Sequence, residues 1–168
     1  MNIYILRHGL AEERHGGAIA SQDAKRPLTH KGIRKLKKIA KAMRKLELEF
    51  DLILSSPYTR ARQTAEIIFH KAKGQGRLEF SETLIPAGNR RQLITYLKTG
   101  SATHDNVLLV GHEPYLSDLV SLLVFGKTGF SIALKKAGLC KLSTDALEHG
   151  RCATLHWLLT PNYLELMV

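Results

Sequence analysis

The sequence predicts an α/β fold: a single-domain, three-layer α/β/α sandwich with a mostly parallel central sheet and an antiparallel edge. Short apolar segments alternate with amphipathic helical segments along most of the chain, which is typical of parallel strands joined by helices. The last third has strand character without long helical segments, which favours antiparallel pairing. A length of 168 residues fits one domain, residues 1–168, and no segment rich in Pro, Gly or Ser marks a boundary.

The first half of the chain contains two strand and helix pairs. Apolar runs predict strands over Asn2–Leu6 and Asp51–Leu54. Apolar residues at helical spacing predict helices over Thr29–Leu48 and Tyr58–Lys71. The hydroxyl of Thr29 is suited to capping the first helix, because threonine oxygens accept from unpaired N–H groups at helix starts.

The second half begins with the same alternation and ends in strands. We predict a weak strand over Leu78–Ser81, a helix over Asn89–Lys98, a strand over Asn106–Val110 and a helix over Glu113–Val124. Three further segments have strand character, and they are Phe130–Leu134, Leu139–Leu142 and Ala153–Leu159.

The formal net charge of +10 raises the possibility of nucleic-acid binding, because basic surfaces attract polyanions. Many of the basic residues lie in one segment, Lys31–Lys45, where they alternate with apolar residues at helical spacing. No aromatic residue that could stack on bases is interleaved with them. We therefore expect a solvated basic helix face rather than a nucleic-acid site, although the face can steer an acidic or phosphorylated protein.

Several other classes of protein are disfavoured. No stretch approaches the roughly 18 apolar residues of a membrane span, and Met1–Leu6 lacks the features of a secretion signal, so we expect a cytoplasmic protein without membrane contact. Cys140 and Cys152 are expected to be buried, reduced and structural. No metal-binding motif appears, so no metal or cofactor is expected. Six further histidines are not spaced like a pair of ligands, and we expect them to be ordinary residues. They are His15, His30, His70, His104, His149 and His156.

Three short motifs each follow a predicted strand directly. They are Leu6–Gly9 (LRHG), Ser55–Ala61 (SSPYTRA) and Val110–Glu113 (VGHE). The carboxyl ends of parallel strands meet at one edge of a sheet, which is where such folds bind ligands. We therefore expect the three motifs to form one site.

The motifs together supply two guanidinium groups, from Arg7 and Arg60, and two imidazoles, from His8 and His112. This combination suits a phosphoryl group, because guanidinium groups match phosphate oxygens with two hydrogen bonds. A neutral imidazole can act as a nucleophile, and a second imidazole, if protonated, can stabilise the charge that develops on the oxygens. Spacing alone does not determine which histidine has which role.

LRHG after the first strand, SSPYTRARQTAE and VGHEP together resemble the histidine phosphatase superfamily, also called phosphoglycerate mutase-like. The resemblance extends from Met1 to about Tyr163 and is strongest to the small bacterial SixA-type phosphohistidine phosphatases. It implies a phosphoglycerate mutase-like fold, with His8 as the phosphorylated nucleophile, Arg7 and Arg60 as the phosphate clamp and His112 as the second histidine. Gly9 would permit close approach of the backbone, since it has no side chain.

The segment Asp23–Thr29 (DAKRPLT) resembles the loop before the first helix of SixA-type enzymes, which implies that Asp23 and Arg26 reach the active site. Glu82 occupies a stretch comparable to the one that supplies a general acid in many family members. Glu113 is instead expected to face solvent or to cap the next helix. The chain also lacks the long helical insertion that covers the site in larger mutases, so a protein surface can reach the site.

The resemblance implies a phosphohistidine phosphatase that hydrolyses phosphate from a phosphorylated protein, through a phosphohistidine intermediate on His8. The expected partner is a phosphocarrier or a histidine phosphotransfer domain of signal transduction, and inorganic phosphate is the product. Two alternatives remain. One is a phosphatase or mutase for a small phosphorylated metabolite, and the other is a non-catalytic phosphate- or nucleic-acid-binding module.

Overall fold

The computed structural model describes residues 1–13, 20–71, 76–100 and 104–168. Six strands in this part of the chain form one sheet, and they are β1 (Asn2–Arg7), β2 (Leu52–Ser55), β3 (Arg77–Phe80), β4 (Asn106–Gly111), β5 (Leu139–Ser143) and β6 (Thr154–Leu159). Their order in space is β3-β2-β4-β1-β5-β6. The first four strands pair in parallel, whereas β5 is antiparallel to β1 and β6 is antiparallel to β5. The predicted α/β class, with a mostly parallel sheet and an antiparallel edge, is confirmed.

The helices of the described residues cover both faces of this sheet. They are α1 (Ala20–Ala24), α2 (His30–Lys45), α3 (Thr59–Lys71), α4 (Arg90–Gly100), α5 (Tyr115–Phe125) and α6 (Pro161–Leu166). A short 3-10 turn also spans Glu82–Leu84. The four long helices lie where their apolar spacing predicts them, but α1, α6 and the 3-10 turn are too short to give such a signal.

The central strand β1 separates two apolar cores. Ile3 and Ile5 pack on the side covered by α4 and α5, whereas Tyr4 and Leu6 pack on the side of α2, α3 and α6. Side chains alternate across a strand, so a strand that is covered on both faces must be apolar throughout. This burial holds the carboxyl end of β1 in a fixed position, and His8 follows directly after it.

Helix α2 begins at the same edge of the sheet. The Oγ1 of Thr29 accepts a hydrogen bond of 2.9 Å from the N–H of Gly32, as the predicted cap requires. The backbone N–H of Thr29 donates to the carbonyl of Leu10, two residues after His8. Leu36 and Met43 are buried on the apolar face of the helix, and its basic residues lie largely on the other side, so the amphipathic prediction is confirmed.

The strand predicted over Phe130–Leu134 is wrong, because this segment is an irregular connection between α5 and β5. The carbonyl of Leu134 accepts a hydrogen bond of 2.9 Å from Nη1 of Arg7. The N–H of the same residue donates to the carbonyl of Ile132 in a tight turn. The carbonyl and the N–H of Leu134 are therefore not available for pairing with a neighbouring strand.

The two cysteines are free thiols, as predicted. Cys140 is buried in β5, and this burial raises the pKa of its thiol to about 12. Cys152 is half-buried rather than fully buried. No helix within the described ranges is long and apolar enough to cross a membrane. His15 lies outside the described residues.

Candidate active site

The three motifs come together at one edge of the sheet. Strand β4 lies between β1 and β2, so the residues that follow these three strands are neighbours. The ring centroids of His8 and His112 are 5.2 Å apart, and Nε of Arg60 is 3.3 Å from Nε2 of His8. All three side chains are buried. The predicted meeting of the motifs is therefore confirmed.

The ring of His8 is held in one orientation by the backbone. Its Nδ1 lies 2.7 Å from the carbonyl oxygen of Gly9, which can only accept a hydrogen bond. The proton of a neutral His8 therefore sits on Nδ1, and Nε2 carries the lone pair that a nucleophile needs, which here accepts a hydrogen bond from Nε of Arg60.

Gly9 supports this arrangement by packing closely. A Cβ at Gly9 would lie 2.6 Å from Cδ1 of Leu36 in α2, so a larger residue would force the end of that side chain to shift. The N–H of Gly9 donates to Oγ1 of Thr64, 3.1 Å away. These contacts assign Gly9 to the orientation of His8, while a direct contact with phosphate stays a prediction.

Burial lowers the pKa of His8 to about 3, against an opposing hydrogen bond from its ring to the carbonyl of Gly9. The positive charges of Arg60, Arg7 and Lys136 lower this pKa further. His8 is therefore neutral near pH 7, with the Nε2 lone pair available.

Arg60 is anchored by the segment before α2. Its Nη1 donates to the carbonyl of Asp23 at 2.8 Å, and its Nη2 forms an ion pair with Oδ2 of Asp23 at 3.0 Å. Oδ1 of Asp23 pairs with Nη2 of Arg26 at 2.9 Å, and Nη1 of Arg26 donates to the carbonyl of Glu12. The structure therefore brings Asp23 and Arg26 to the site, where the resemblance placed them.

Arg7 is held by the connection between α5 and β5. Its Nη1 is fixed on the carbonyl of Leu134, and its Nε is buried without a hydrogen-bond partner among the described residues. Burial lowers the pKa of Arg7, and the negative charge of Glu113 opposes this. The guanidinium remains a cation at neutral pH, because an arginine in a protein does not lose its proton there.

Ser56 is a site residue to which the sequence analysis gave no role. Its Oγ lies 2.8 Å from Nε2 of His112, and it accepts a weak hydrogen bond of 3.3 Å from the N–H of Tyr58. Oγ has one proton and a second lone pair, so it can donate to a bare Nε2 of His112 or accept from a protonated one. When it donates, the proton of a neutral His112 is on Nδ1, which is buried and has no partner in the described part of the chain.

Burial lowers the pKa of His112 to about 2, and nearby positive charges, that of Arg60 foremost, lower it further. Both imidazoles are therefore neutral in this structure. His112 can act as a neutral N–H donor through Nδ1 when Ser56 donates to Nε2, rather than as the cation that the sequence considerations allowed for one of the two histidines.

Three buried donors at this site have no acceptor among the residues that the structure describes. They are Nδ1 of His112 and the Nε atoms of Arg7 and Arg26. The charges of both arginines lower the pKa of His112, so both lie close enough to interact with it. Buried donors are normally paired, and several of them around one neutral imidazole match the needs of an oxyanion.

Comparisons with known proteins give the same family as the resemblance. Residues 3–85 match the family model described as Histidine phosphatase superfamily (branch 1). A phosphohistidine phosphatase SixA homolog of Haemophilus influenzae is 31% identical over 139 residues, which cover 76% of this chain and 79% of that protein. The chain belongs to the histidine phosphatase superfamily.

Solved structures agree with this assignment. The structure of the protein histidine phosphatase SixA complexed with tungstate is similar to this histidine phosphatase with a TM-score of 0.82 and 27% identity, over 98% of this chain and 99% of that one. The α-ribazole phosphatase of Shigella flexneri shares the fold, with a TM-score of 0.70 at 17% identity over 96% of this chain and 97% of that one. The phosphoglycerate mutase-like fold is thus established, and proteins with different phosphorylated substrates share it.

Two glutamates were given roles on the basis of the sequence. The carboxylate of Glu82 is exposed on the 3-10 turn and makes no hydrogen bond or ion pair with the described residues, so its role as general acid stays a prediction. Oε1 of Glu113 accepts a hydrogen bond of 3.0 Å from the N–H of Ser117. This confirms that Glu113 caps the start of α5. Within the described ranges no group of His, Cys, Asp and Glu side chains is arranged to hold a metal ion.

Proposed function

We propose that this histidine phosphatase is a phosphohistidine phosphatase, which removes phosphate from a phosphorylated protein through an intermediate on His8. The observation that carries the proposal is the set of groups around Nε2 of His8. This atom carries the lone pair of the ring and accepts a hydrogen bond of 3.3 Å from Nε of Arg60, whose place an incoming phosphoryl group would take. Arg7, Arg26 and His112 each have a buried nitrogen without a partner among the described residues, and we propose that these nitrogens bind the phosphoryl oxygens. Such a site can attack phosphorus and stabilise the charged oxygens at the same time.

In the first step Nε2 of His8 forms a bond to phosphorus, and the bond from phosphorus to the substrate imidazole breaks. The electron pair returns to the leaving nitrogen, and the substrate ring departs neutral because its other nitrogen was protonated beforehand. His8 keeps its Nδ1 proton on the carbonyl of Gly9. Water then attacks phosphorus, the electron pair returns to Nε2, and dihydrogen phosphate leaves.

The leaving group favours phosphohistidine over phosphate esters. An alkoxide that leaves from phosphoserine is strongly basic and needs an acid in contact with it. Glu82 is exposed and makes no hydrogen bond to the four central residues of the site, which are Arg7, His8, Arg60 and His112. His112 is neutral, so it is a weak acid for such a leaving group. Strong binding of the phosphoryl group with weak help to the leaving group favours the labile P–N bond. The similarity to SixA supports the same substrate class, while the α-ribazole phosphatase represents the alternative.

A protein substrate also suits the surface next to the site. The basic face of α2, defined as the Lys and Arg side chains of Lys31–Lys45, begins two residues after Thr29, which is bonded to Leu10 near the site. Lys35 and Lys38 pair with Glu165, whereas the remaining basic residues on this face make no ion pair with the described residues. We propose that they attract an acidic phosphocarrier or phosphotransfer domain, in a cytoplasmic signalling role.

The test is a comparison of kcat/KM for a phosphohistidine protein, a phosphoserine peptide and a small sugar phosphate at one pH. We expect the phosphohistidine protein to be hydrolysed about a hundredfold or more faster, because its leaving group needs least assistance. His8→Asn, which keeps a polar side chain of similar size, is the control for contaminating activity. A preference for the sugar phosphate would make the small-metabolite phosphatase the correct function.

A further inference from the structure

The connection between α5 and β5 places a lysine pair beside the catalytic strand. Lys135 and Lys136 both lie on the surface, directly before Ala137 and Gly138. No described residue forms a hydrogen bond or ion pair with either ammonium group. Neither lysine belongs to the three motifs, so the sequence analysis gave them no role.

The backbone of this turn is fixed on the residues that carry the chemistry. The N–H of Ala137 lies 3.0 Å from the carbonyl oxygen of Arg7 and 3.1 Å from that of His8, and the N–H of Arg7 donates to the carbonyl of Gly138. Lys136 therefore sits one peptide bond from atoms that contact the nucleophile's own backbone.

The shape of the turn is specific and costs strain. Ala137 has a φ of 61°, in the left-handed region that non-glycine residues avoid, and the N–H of Gly138 closes the turn on the carbonyl of Lys135 at 2.7 Å. A Cβ at Gly138 would lie 2.8 Å from that carbonyl oxygen. The same connection supplies the carbonyl of Leu134 that anchors Arg7. One loop thus orients a phosphate-binding arginine and fixes the position of Lys136.

We propose that Lys136 is a further substrate-binding residue, whose ammonium contacts the outer oxygens of the phosphoryl group at the mouth of the site. The proposal rests on the proposed function only in taking the ligand to be a phosphoryl group.

One property separates Lys136 from the buried cations, and another separates it from Lys135. Arg7 and Arg60 are held in place by hydrogen bonds, whereas a lysine ammonium is a compact charge on a flexible stem that can move with an incoming anion. Of the two lysines in the turn, only Lys136 is among the charges that lower the pKa of His8. An exposed charge of this kind attracts the anion and holds it, so it acts on affinity more than on the chemical step.

The experiment measures binding of inorganic phosphate, as the inhibition constant and by titration calorimetry, in Lys136→Met, Lys136→Arg and Lys135→Met. The methionine variants keep most of the side-chain length and remove the charge. We expect Lys136→Met to weaken phosphate binding about fivefold to tenfold at low salt, since a charge-assisted contact is lost. Lys136→Arg should stay within about twofold of the parent, because it retains the charge. Lys135→Met, the matched control in the same turn, should bind phosphate like the parent protein.

Two further measurements make the result specific. The effect of Lys136→Met should shrink as salt is raised, and with a phosphorylated substrate it should raise KM while kcat stays nearly constant. Equal phosphate affinity in Lys136→Met and Lys135→Met would overturn the proposal, and so would a loss confined to kcat. Binding of inorganic phosphate needs no turnover, so this result is independent of which phosphorylated substrate the enzyme prefers.

Discussion

Ser56 and His112 form a hydrogen bond in the interior of the protein, with Oγ of the serine 2.8 Å from Nε2 of the imidazole. Ser56 is 0% exposed and His112 is 1% exposed, so water does not compete for this bond. The serine oxygen accepts from the N–H of Tyr58 and can donate its own proton to the imidazole. We expect it to do so when a phosphoryl group is bound, because His112 then presents an N–H from Nδ1 to the anion.

Replacement of Ser56 by alanine is expected to lower kcat/KM about tenfold to hundredfold, because His112 then loses the preference for the tautomer that donates to the phosphoryl oxygens. The measurement is steady-state kinetics on the preferred substrate. Ser121→Ala is a matched control, since Ser121 is also a buried serine but donates to the carbonyl of Ser117 within α5. Equal effects of the two variants on kcat/KM would show that Ser56 contributes only to packing.

A covalent intermediate on His8 is the second expectation. Rapid quenching of turnover should trap phosphate on His8 in a form that is stable in base and lost in acid, as for any phosphoramidate. His8→Asn should reduce kcat by at least about a thousandfold, since the amide cannot replace the imidazole as nucleophile. A label that is stable in acid would contradict the mechanism. So would a kcat of the His8→Asn variant that is close to that of the parent protein.

Asp23 provides a third test, because it fixes two arginines of the site at once. Its carboxylate pairs with Nη2 of Arg60 and with Nη2 of Arg26. Asp23→Asn keeps the shape but loses the charge, so Arg60 should be less well oriented and kcat/KM should fall about tenfold. Glu66→Gln removes a surface ion pair with Arg62 and serves as the control, with little expected change. A drop of the same size in Glu66→Gln would indicate a general effect of charge.

The sequence could predict where the four central residues meet. His8, Arg60 and His112 follow apolar segments, and the topology of a parallel sheet brings the ends of such segments together. The bond between Ser56 and His112 could not be predicted in this way, because it depends on the rotamers of two side chains that are far apart in the sequence. The role proposed for Lys136 could not be predicted either. Lys136 precedes an antiparallel strand, and the expectation that strand ends meet at one edge of the sheet applies to parallel strands.

The false strand at Phe130–Leu134 has a physical explanation as well. Its apolar residues alternate as in a strand, but the carbonyl of Leu134 binds the guanidinium of Arg7, and Phe130 stacks on Phe125 with ring centroids 4.3 Å apart. Alternating hydrophobicity indicates which side chains prefer burial. It does not indicate which groups form hydrogen bonds with the backbone of the segment. The hydrogen bond from Arg7 therefore occupies a carbonyl that a strand would have paired with a neighbouring strand.

The stability of the protein should depend on pH through its two buried histidines. The folded protein holds the pKa of His8 at about 3 and that of His112 at about 2, both below the value of about 6.5 that an unfolded chain gives a histidine. Above pH 6.5 both histidines are neutral in the folded and in the unfolded protein, so they do not change the free energy of unfolding. Below it the unfolded chain binds two protons that the folded protein does not, and the free energy of unfolding falls as the pH falls.

Acidification from pH 7.5 to 5.5 should lower the free energy of unfolding by about 2 to 3 kcal/mol, each histidine contributing up to about 1.4 kcal/mol per pH unit once below its unfolded pKa. Urea unfolding at several pH values, in a buffer free of phosphate and similar oxyanions, measures this change. His112→Asn or His8→Asn should each remove about half of the pH dependence, because each removes one of the two titrating groups. If stability were unchanged between pH 7.5 and 5.5, one or both imidazoles would have to accept a proton in the folded state. The site would then contain a cationic histidine, and the assignment of His8 as a neutral nucleophile would have to be made again from its measured titration.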